Sequence, residues 1–133
     1  MKSQNLAGLT LAVAAGCLSL SATSASAASK FGLEYRVERT DSGKLSLDTC
    51  LATAKRASAA VGYAPAVENR YPGQLAVFAS GPAAGGASLT VYCIAVDRKT
   101  AYVVQAIDYS RPNSPQAKKV ADQVHAALVA AGR

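Results

Sequence analysis

Two cysteines, Cys50 and Cys93, are the side chains in this sequence best placed for covalent chemistry. The chain has three cysteines among 133 residues, and the third, Cys17, lies in a segment that we expect to be removed. A pair of cysteines in an exported protein indicates one disulfide. The alternatives are a redox pair and a zinc site, but there is no C-x-x-C motif and only one histidine. We therefore predict a structural Cys50–Cys93 disulfide and no metal.

His125 is the one side chain suited to acid–base chemistry near neutral pH. It follows Asp122 by three residues on a predicted helix, a spacing that lets the carboxylate contact the imidazole. A general base also needs a nucleophile and an oxyanion donor, and the serines of this chain have no catalytic motif around them. We predict no catalytic residues and no cofactor, and therefore not an enzyme.

Basic residues at two predicted turns form a candidate anion site. In an antiparallel meander these turns lie at the same end of the sheet, because two strand reversals separate them. The site would contain Arg70, Tyr71, Arg98 and Lys99. Such a rim could hold a small anion by charge-assisted hydrogen bonds. A solvated hairpin end carries the same residue types, and neighbouring carboxylates dilute the positive charge.

The glycine-rich run at residues 81–86 does not have the form of a phosphate-binding loop. It lacks a Gly-Lys-Ser/Thr ending and a G-x-G-x-x-G pattern, and it precedes a predicted strand instead of opening a helix. Nucleic-acid binding is not expected either, because the tyrosines form no known stacking motif. A flexible hairpin loop is the interpretation we adopt.

The first 27 residues have the three parts of a bacterial export signal. Lys2 precedes an apolar stretch from residue 6 to residue 20, and small residues follow up to Ala27. The Ala25-Ser26-Ala27 triplet predicts cleavage between Ala27 and Ala28. The apolar stretch is short for a bilayer span and is diluted by glycine and polar residues. We expect a periplasmic or secreted protein with a single domain over residues 28–133 and no transmembrane segment after cleavage.

A competing interpretation of the same segment is a lipoprotein signal. Ala14-Ala15-Gly16-Cys17 resembles a lipobox, and its use would place a lipid on Cys17. The leucine that such sites favour is replaced by Ala14, and a complete Ala-x-Ala site lies ten residues further on. Lipidation therefore remains a minority alternative.

The net charge is too mild to define a partner. The formal charge of the full chain is +6, and removal of residues 1–27 takes away only the charge of Lys2. Charges of both signs are mixed along the chain, without a basic tail. A small anionic ligand is compatible with this balance, and so is a protein with no such partner.

Hydrophobic periodicity and capping residues predict two helices. Ser46 is a natural N-cap for a helix over residues 47–61, which Gly62 ends. Ser114 and Pro115 open a second helix over residues 115–131. Each helix has apolar residues at three- and four-residue spacing, the pattern of one buried face.

Strand signals occupy the remainder of the chain. Leu33, Tyr35 and Val37 alternate with charged residues, which indicates a strand with one dry and one wet face. Further strands are predicted at residues 66–70, 75–80, 88–97 and 101–109, separated by turn residues. The order β-α-β-β-β-β-α predicts an α+β fold, a two-layer sandwich in which two helices cover one face of a four- to five-stranded antiparallel sheet.

The second face of this sheet is the most informative feature of the sequence. In the strand at 88–97, one face carries Leu89, Val91 and Cys93, and the other carries apolar side chains as well. We expect these to form an apolar patch with residues of the next strand, namely Tyr92, Ile94, Val96, Tyr102 and Val104. A sheet covered by helices on one side normally has polar residues on the other. Either the strand register or the first strand hides the patch within the monomer, or the patch is a dimer interface or an apolar ligand groove, of which a symmetric dimer is the commoner. We predict a binding module that forms a homodimer or binds a protein partner through this face.

Overall fold

The computed structural model describes residues 29–133, and the predicted signal segment, its cleavage site and Cys17 lie outside them. Five strands and two helices follow one another along this part of the chain. They are β1 (Gly32–Asp41), α1 (Leu47–Ala60), β2 (Ala64–Tyr71), β3 (Leu75–Gly81), β4 (Ala87–Val96), β5 (Lys99–Asp108) and α2 (Pro115–Ala131). The predicted element order is therefore confirmed.

The strands form one antiparallel sheet in the order β1-β5-β4-β3-β2. Strands β2 to β5 are a meander, and β1 adds to its far side by pairing with β5 along its whole length. Both helices pack on the same face of this sheet and on each other. The predicted two-layer α+β architecture is confirmed, and no helix within residues 29–133 is long and apolar enough to cross a bilayer.

Side-chain caps fix the first turn of each helix. The Ser46 hydroxyl accepts a hydrogen bond from the Thr49 backbone N–H, which satisfies one of the donors that a helix start leaves free. Ser114 does the same for Ala117 and donates to the Asp108 carboxylate at 2.6 Å. Asp108 at the end of β5 therefore fixes the start of α2.

The disulfide ties the helical layer to the sheet. Cys50 of α1 and Cys93 of β4 are fully buried and bonded, with their Cα atoms 6.2 Å apart, within the usual range for a disulfide. The predicted pairing is confirmed. Around it lies a core of apolar side chains from both layers, the largest of which are Tyr102, Phe78, Leu45, Leu51, Leu89 and Leu128.

The orientation of β1 differs from the usual pattern for an amphipathic strand. Its apolar side chains Leu33, Tyr35 and Val37 are 42%, 59% and 64% exposed, whereas Glu34 and Arg36 lie partly buried beneath α2. The expectation that β1 buries its apolar residues was wrong. Alternation identifies two faces of a strand but does not say which one meets the core. Here β1 extends the second face of the sheet and does not hide it.

Tyr102 and Val104 also lie on the opposite face from the one expected. They are 1% and 0% exposed and point toward the helices, because the register places Tyr102 opposite Cys93 and Val104 opposite Val91. The cause is the tight turn between β4 and β5, in which only Asp97 and Arg98 lie outside the strands. The predicted strand bounds place Asp97 opposite Ala101, whereas the observed ladder pairs Ala101 with Ile94. The difference is an odd number of residues, and an odd shift exchanges the two faces.

Candidate functional site

The candidate site is the sheet face that points away from the helices, which we call the open face. Its central row crosses all five strands in the order Val37, Val103, Tyr92, Val77 and Asn69. Two further rows flank it, one running from Tyr35 through Thr90 to Val67 and one from Arg39 through Ile94 to Tyr71. Tyr92 occupies the centre of this face, on the middle strand and in the middle row.

Large apolar side chains are concentrated on the open face. Eight of them remain widely exposed within residues 29–133, and all lie on this face or at its margin: Phe31, Leu33, Tyr35, Val37, Val67, Tyr71, Val96 and Tyr109. Of these, Phe31 directly precedes β1, and the Tyr109 hydroxyl lies 3.0 Å from that of Ser88. Scattered apolar residues are normal on protein surfaces, whereas large contiguous apolar patches are typical of interaction surfaces.

Charge is nearly absent from the same surface. Among its strand positions only Arg39, Asp41 and Lys99 are charged, and all three lie toward one end. Lys99 Nζ is 3.9 Å from Asp41 Oδ2, so two of these three charges are of opposite sign and form an ion pair. Four of the six tyrosines of the chain point to this face, which matches the composition of binding surfaces: rich in aromatic residues and poor in charge at the centre.

The predicted patch is thus partly correct and partly relocated. Tyr92, Ile94 and Val96 lie on the open face as expected. Their partners on β5 are Val103, Ala101 and Lys99 instead of Tyr102 and Val104. Sequence reasoning missed the contributions of β1 and β3, although the alternation of Leu33, Tyr35 and Val37 was a visible signal for one of them.

Beneath the sheet, β1 is held to α2 by polar contacts instead of apolar packing. Arg36 donates from Nε and Nη2 to Asp122 Oδ1 at 3.0 and 2.7 Å, and from Nη1 to Glu34. Lys118 and Arg36 hold the pKa of Asp122 below its usual range by hydrogen bonds. The polar face of β1 is therefore covered by α2, while within residues 29–133 no helix or second layer covers its apolar face.

His125 belongs to the same α2–β1 seam. Its Nε2 lies 2.9 Å from Glu38 Oε2, and its ring lies 6.1 Å from that of Tyr102, centroid to centroid. The Asp122 carboxylate, which we expected beside it, binds Lys118 and Arg36 instead. Burial and the Glu38 carboxylate raise the pKa of Tyr102 to about 12, so this hydroxyl stays protonated at neutral pH and donates to Glu38 at 3.4 Å.

The predicted basic rim is not assembled as one site. The two hairpin turns lie at the same end of the sheet, where the Ala95 N–H donates to the Gln74 carbonyl. Arg70, however, points to the helix side and donates to Asp48 and Glu68 at 2.9 Å, while Lys99 and Tyr71 lie on the open face. Arg98 contributes its backbone carbonyl to Ser42. Strand parity separates these side chains, because Arg70 and Tyr71 are consecutive residues that point to opposite faces.

A groove of about 330 Å³ lies between the start of α1 and the β2–β3 hairpin. Arg70 forms part of its wall, but its guanidinium is neutralised by Asp48 and Glu68. The hydrogen bonds of Lys55 and Arg70 in turn hold the pKa of Glu68 below its usual range. The arrangement is an ion-pair network at a surface, and it offers no free cation to an anionic ligand. Within residues 29–133 no cluster of histidine, cysteine and carboxylate side chains could hold a metal ion.

Fold and site together define a small disulfide-linked α+β sandwich domain with one sheet face covered by helices and one left open and apolar. The chain belongs to a family of unknown function, DUF6180, which matches residues 30–133. No curated protein matches the chain.

Proposed function

We propose that this protein is a non-catalytic binding module whose open face binds a second copy of the same chain. The observation that carries the proposal is the position of the eight exposed large apolar side chains, all on or beside one sheet face. An uncovered face of this composition loses apolar contact with water when another protein packs on it, which is the main favourable term in association.

The size of the open face suits a dimer interface. With strands about 4.8 Å apart and a rise of about 3.3 Å per residue, five strands of this length cover roughly 600 Å² in projection. The side chains that protrude from the face increase its accessible area, which brings it close to the ~800 Å² per partner of a standard interface. Two such faces can pack like the two sheets of a β-sandwich, about 10 Å apart.

The charges of the open face do not prevent a second copy from binding there. The chain carries a formal net charge of +6, so two copies repel one another at long range. The centre of the open face contains no charged residue, and its few charges lie toward one end. A two-fold arrangement through Tyr92 therefore brings no like charges together at the centre, and two-fold dimers are the commonest closed assemblies.

Mass measurement by size-exclusion chromatography with light scattering tests the proposal. We expect the parent protein to be an assembly and the double variant Tyr92→Ser, Ile94→Ser to have a reduced mass. A second variant, Val67→Lys with Tyr71→Lys, adds charge at two exposed positions of β2 and avoids the half-buried centre. The control is Gln123→Ser with Ala126→Ser on the solvent side of α2. A monomeric parent protein, or an assembly that neither face variant weakens, would falsify the proposal.

We also propose that the protein acts outside the cytoplasm after removal of residues 1–27. The disulfide supports this, because such bonds persist in oxidising compartments. The family match supports it too, since it begins at residue 30, just beyond the expected cleavage site. The intact mass of protein from its host, with and without reduction, tests both points. The expected result is a chain that starts at Ala28 and gains two hydrogens on reduction, and a lipid on Cys17 would contradict it.

A further inference from the structure

The two edges of the sheet differ in their ability to accept another strand. An edge strand presents a row of unpaired backbone N–H and C=O groups. On β2 this row is interrupted, because Pro65 has no N–H and the pairing with β3 shifts between Pro65 and Val67. On β1 the ladder with β5 runs without a shift from Gly32 to Asp41 and contains no proline, and the Tyr35 carbonyl, which accepts a hydrogen bond from Arg36 Nη1 at 2.8 Å, would have to exchange that bond for one to an added strand. Of the two edges, β1 is therefore the one suited to strand addition.

The charges on β1 restrict which strand can be added. Glu34, Arg36 and Glu38 follow one another at every second position on the helix side. Like charges directly opposite each other in an antiparallel pair are destabilising, and unlike charges are stabilising. Two copies of β1 centred on Arg36 would place Arg36 against Arg36 and Glu34 against Glu38. A pair centred on Glu38 would place two glutamates together. Both registers are rejected.

The register centred on Val37 places unlike charges opposite each other. It places Arg36 opposite Glu38 of the second copy, and the two-fold symmetry repeats this contact. On the open face it places Val37 opposite itself and Tyr35 opposite Arg39, where a guanidinium can lie over the ring. Centring on Tyr35 also pairs unlike charges, but it leaves Arg39 to Asp41 beyond the ladder. Of the two registers that pair unlike charges, the one centred on Val37 therefore includes more residues of β1 in the ladder.

We propose that β1 is a second self-association surface, at which two copies of this chain pair antiparallel about a two-fold axis at Val37. The pairing joins two five-stranded sheets into one continuous sheet. Residues of the same face oppose each other in this register, so both open faces end on the same side. The edge is a different surface from the open face, and the two used together would give a tetramer with three perpendicular two-fold axes.

Charge reversal tests the edge, in the Tyr92→Ser, Ile94→Ser background that disables the open face. We expect this background to be a dimer, and Arg36→Glu or Glu38→Arg added to it to be monomeric. A mixture of these two proteins should form a heterodimer, because residues 36 and 38 are both acidic in one variant and both basic in the other, and each lies opposite a residue of unlike charge. Asp122→Ala is the control, since it removes the Arg36–Asp122 bond without changing the edge, and it should leave the mass unchanged.

Cross-linking gives a second readout that does not depend on charge reversal. In the same background, Val37→Cys should oxidise to a covalent dimer, whereas Arg39→Cys should not, because residue 39 lies opposite residue 35. A monomeric background, a mass unaffected by both charge variants, or no Val37→Cys dimer would overturn the proposal. The open face is judged separately, by the mass of the parent protein against the face variants, so either surface can fail while the other stands.

Discussion

Tyr92 lies directly opposite Val103 in the β4–β5 ladder, and the next residue along β5, Val104, lies opposite Val91 on the other side of the sheet. These adjacent valines thus point to opposite faces of the sheet. Val104 is fully buried under the helices, and Val103 lies next to Tyr92 in the central row of the open face.

The melting temperature of an assembly rises with protein concentration by mass action. Substitutions at these two valines therefore distinguish a residue of the core from a residue of the proposed interface. Val104→Ala removes core packing and should lower the melting temperature equally at all protein concentrations. Val103→Ser should instead flatten the rise of melting temperature with concentration, because it weakens the proposed dimer. Thermal denaturation over a hundredfold concentration range measures both, and an unchanged slope in Val103→Ser would count against the dimer.

Loss of the disulfide should destabilise the domain strongly. Cys50 and Cys93 are separated by 43 positions, and closing a loop of that size stabilises by up to about 4 kcal/mol in the chain-entropy model. We expect Cys50→Ser with Cys93→Ser to lower the free energy of unfolding by a few kcal/mol, as measured by urea denaturation. Reductant should destabilise the parent protein to the same extent and leave the double variant unaffected. A reductant effect on the double variant would point to some other cause.

A buried hydroxyl pair connects α1 to β3. Ser58 donates to Ser80 at 2.6 Å, and both side chains are almost fully buried. Either single alanine substitution leaves one buried hydroxyl without its partner and should cost about 1–3 kcal/mol of unfolding free energy. The double substitution should cost less than the sum of the two. A double-mutant cycle by urea denaturation checks this coupling, and strict additivity would show that the hydroxyls do not interact.

Asp108 should make the stability of the fold depend on pH in the acid range. Hydrogen bonds from Ser110 and Ser114 lower its pKa to about 2, below the value of about 3.9 expected for an unfolded chain. A carboxyl with a lowered pKa stabilises the fold above the unfolded value, and the contribution is lost as pH falls through about 2. Asp108→Asn should therefore be less stable than the parent protein above pH 4, and the difference should narrow toward pH 2.

The matched control for this experiment is Asp97→Asn in the β4–β5 turn. It makes the same change in net charge at an exposed position, and asparagine tolerates the positive φ of 53° that Asp97 adopts. Denaturation midpoints between pH 2 and pH 7 should reveal the Asp108 effect alone. If both variants followed the same pH profile, the effect would belong to net charge and not to the helix start.

Alkaline titration should distinguish Tyr102 from the exposed tyrosines. Its pKa is raised to about 12, first by burial and then by the Glu38 carboxylate. Ultraviolet difference absorbance should therefore show a late-ionising tyrosine, which Tyr102→Phe removes. Glu38→Gln should lower the pKa of Tyr102 only in part, because burial remains. If Tyr102→Phe left the late phase unchanged, that phase would belong to another residue, with Tyr63 the first candidate since burial raises its pKa as well.

The helices could be predicted well because their determinants are local. Ser46 and Ser114 cap them as expected, α2 has its predicted bounds, and α1 ends within one residue of its prediction. The disulfide followed from a count of cysteines and the expected compartment. These features depend on residues near each other in sequence, or on a choice with only one solution.

The faces of β1 and β5 could not be predicted, because they depend on relations between strands. A turn shorter by one residue reverses every side chain of β5 relative to β4, and nothing local to Tyr102 reveals it. The contact between His125 and Glu38 depends on β1 pairing with β5, its neighbour in the sheet but not in the sequence. The open face could therefore be inferred from Tyr92, Ile94 and Val96, but its full extent could not.

The disulfide also determines what a protease can do to this domain. The covalent loop from Cys50 to Cys93 encloses β2, β3 and the exposed, glycine-containing turn that follows β3. A single cut in that turn leaves both fragments attached to each other, with the start of the chain linked to the central strand and α2. The molecule would migrate as one species until reduced, so a single cut in this exposed turn does not separate the two halves of the domain.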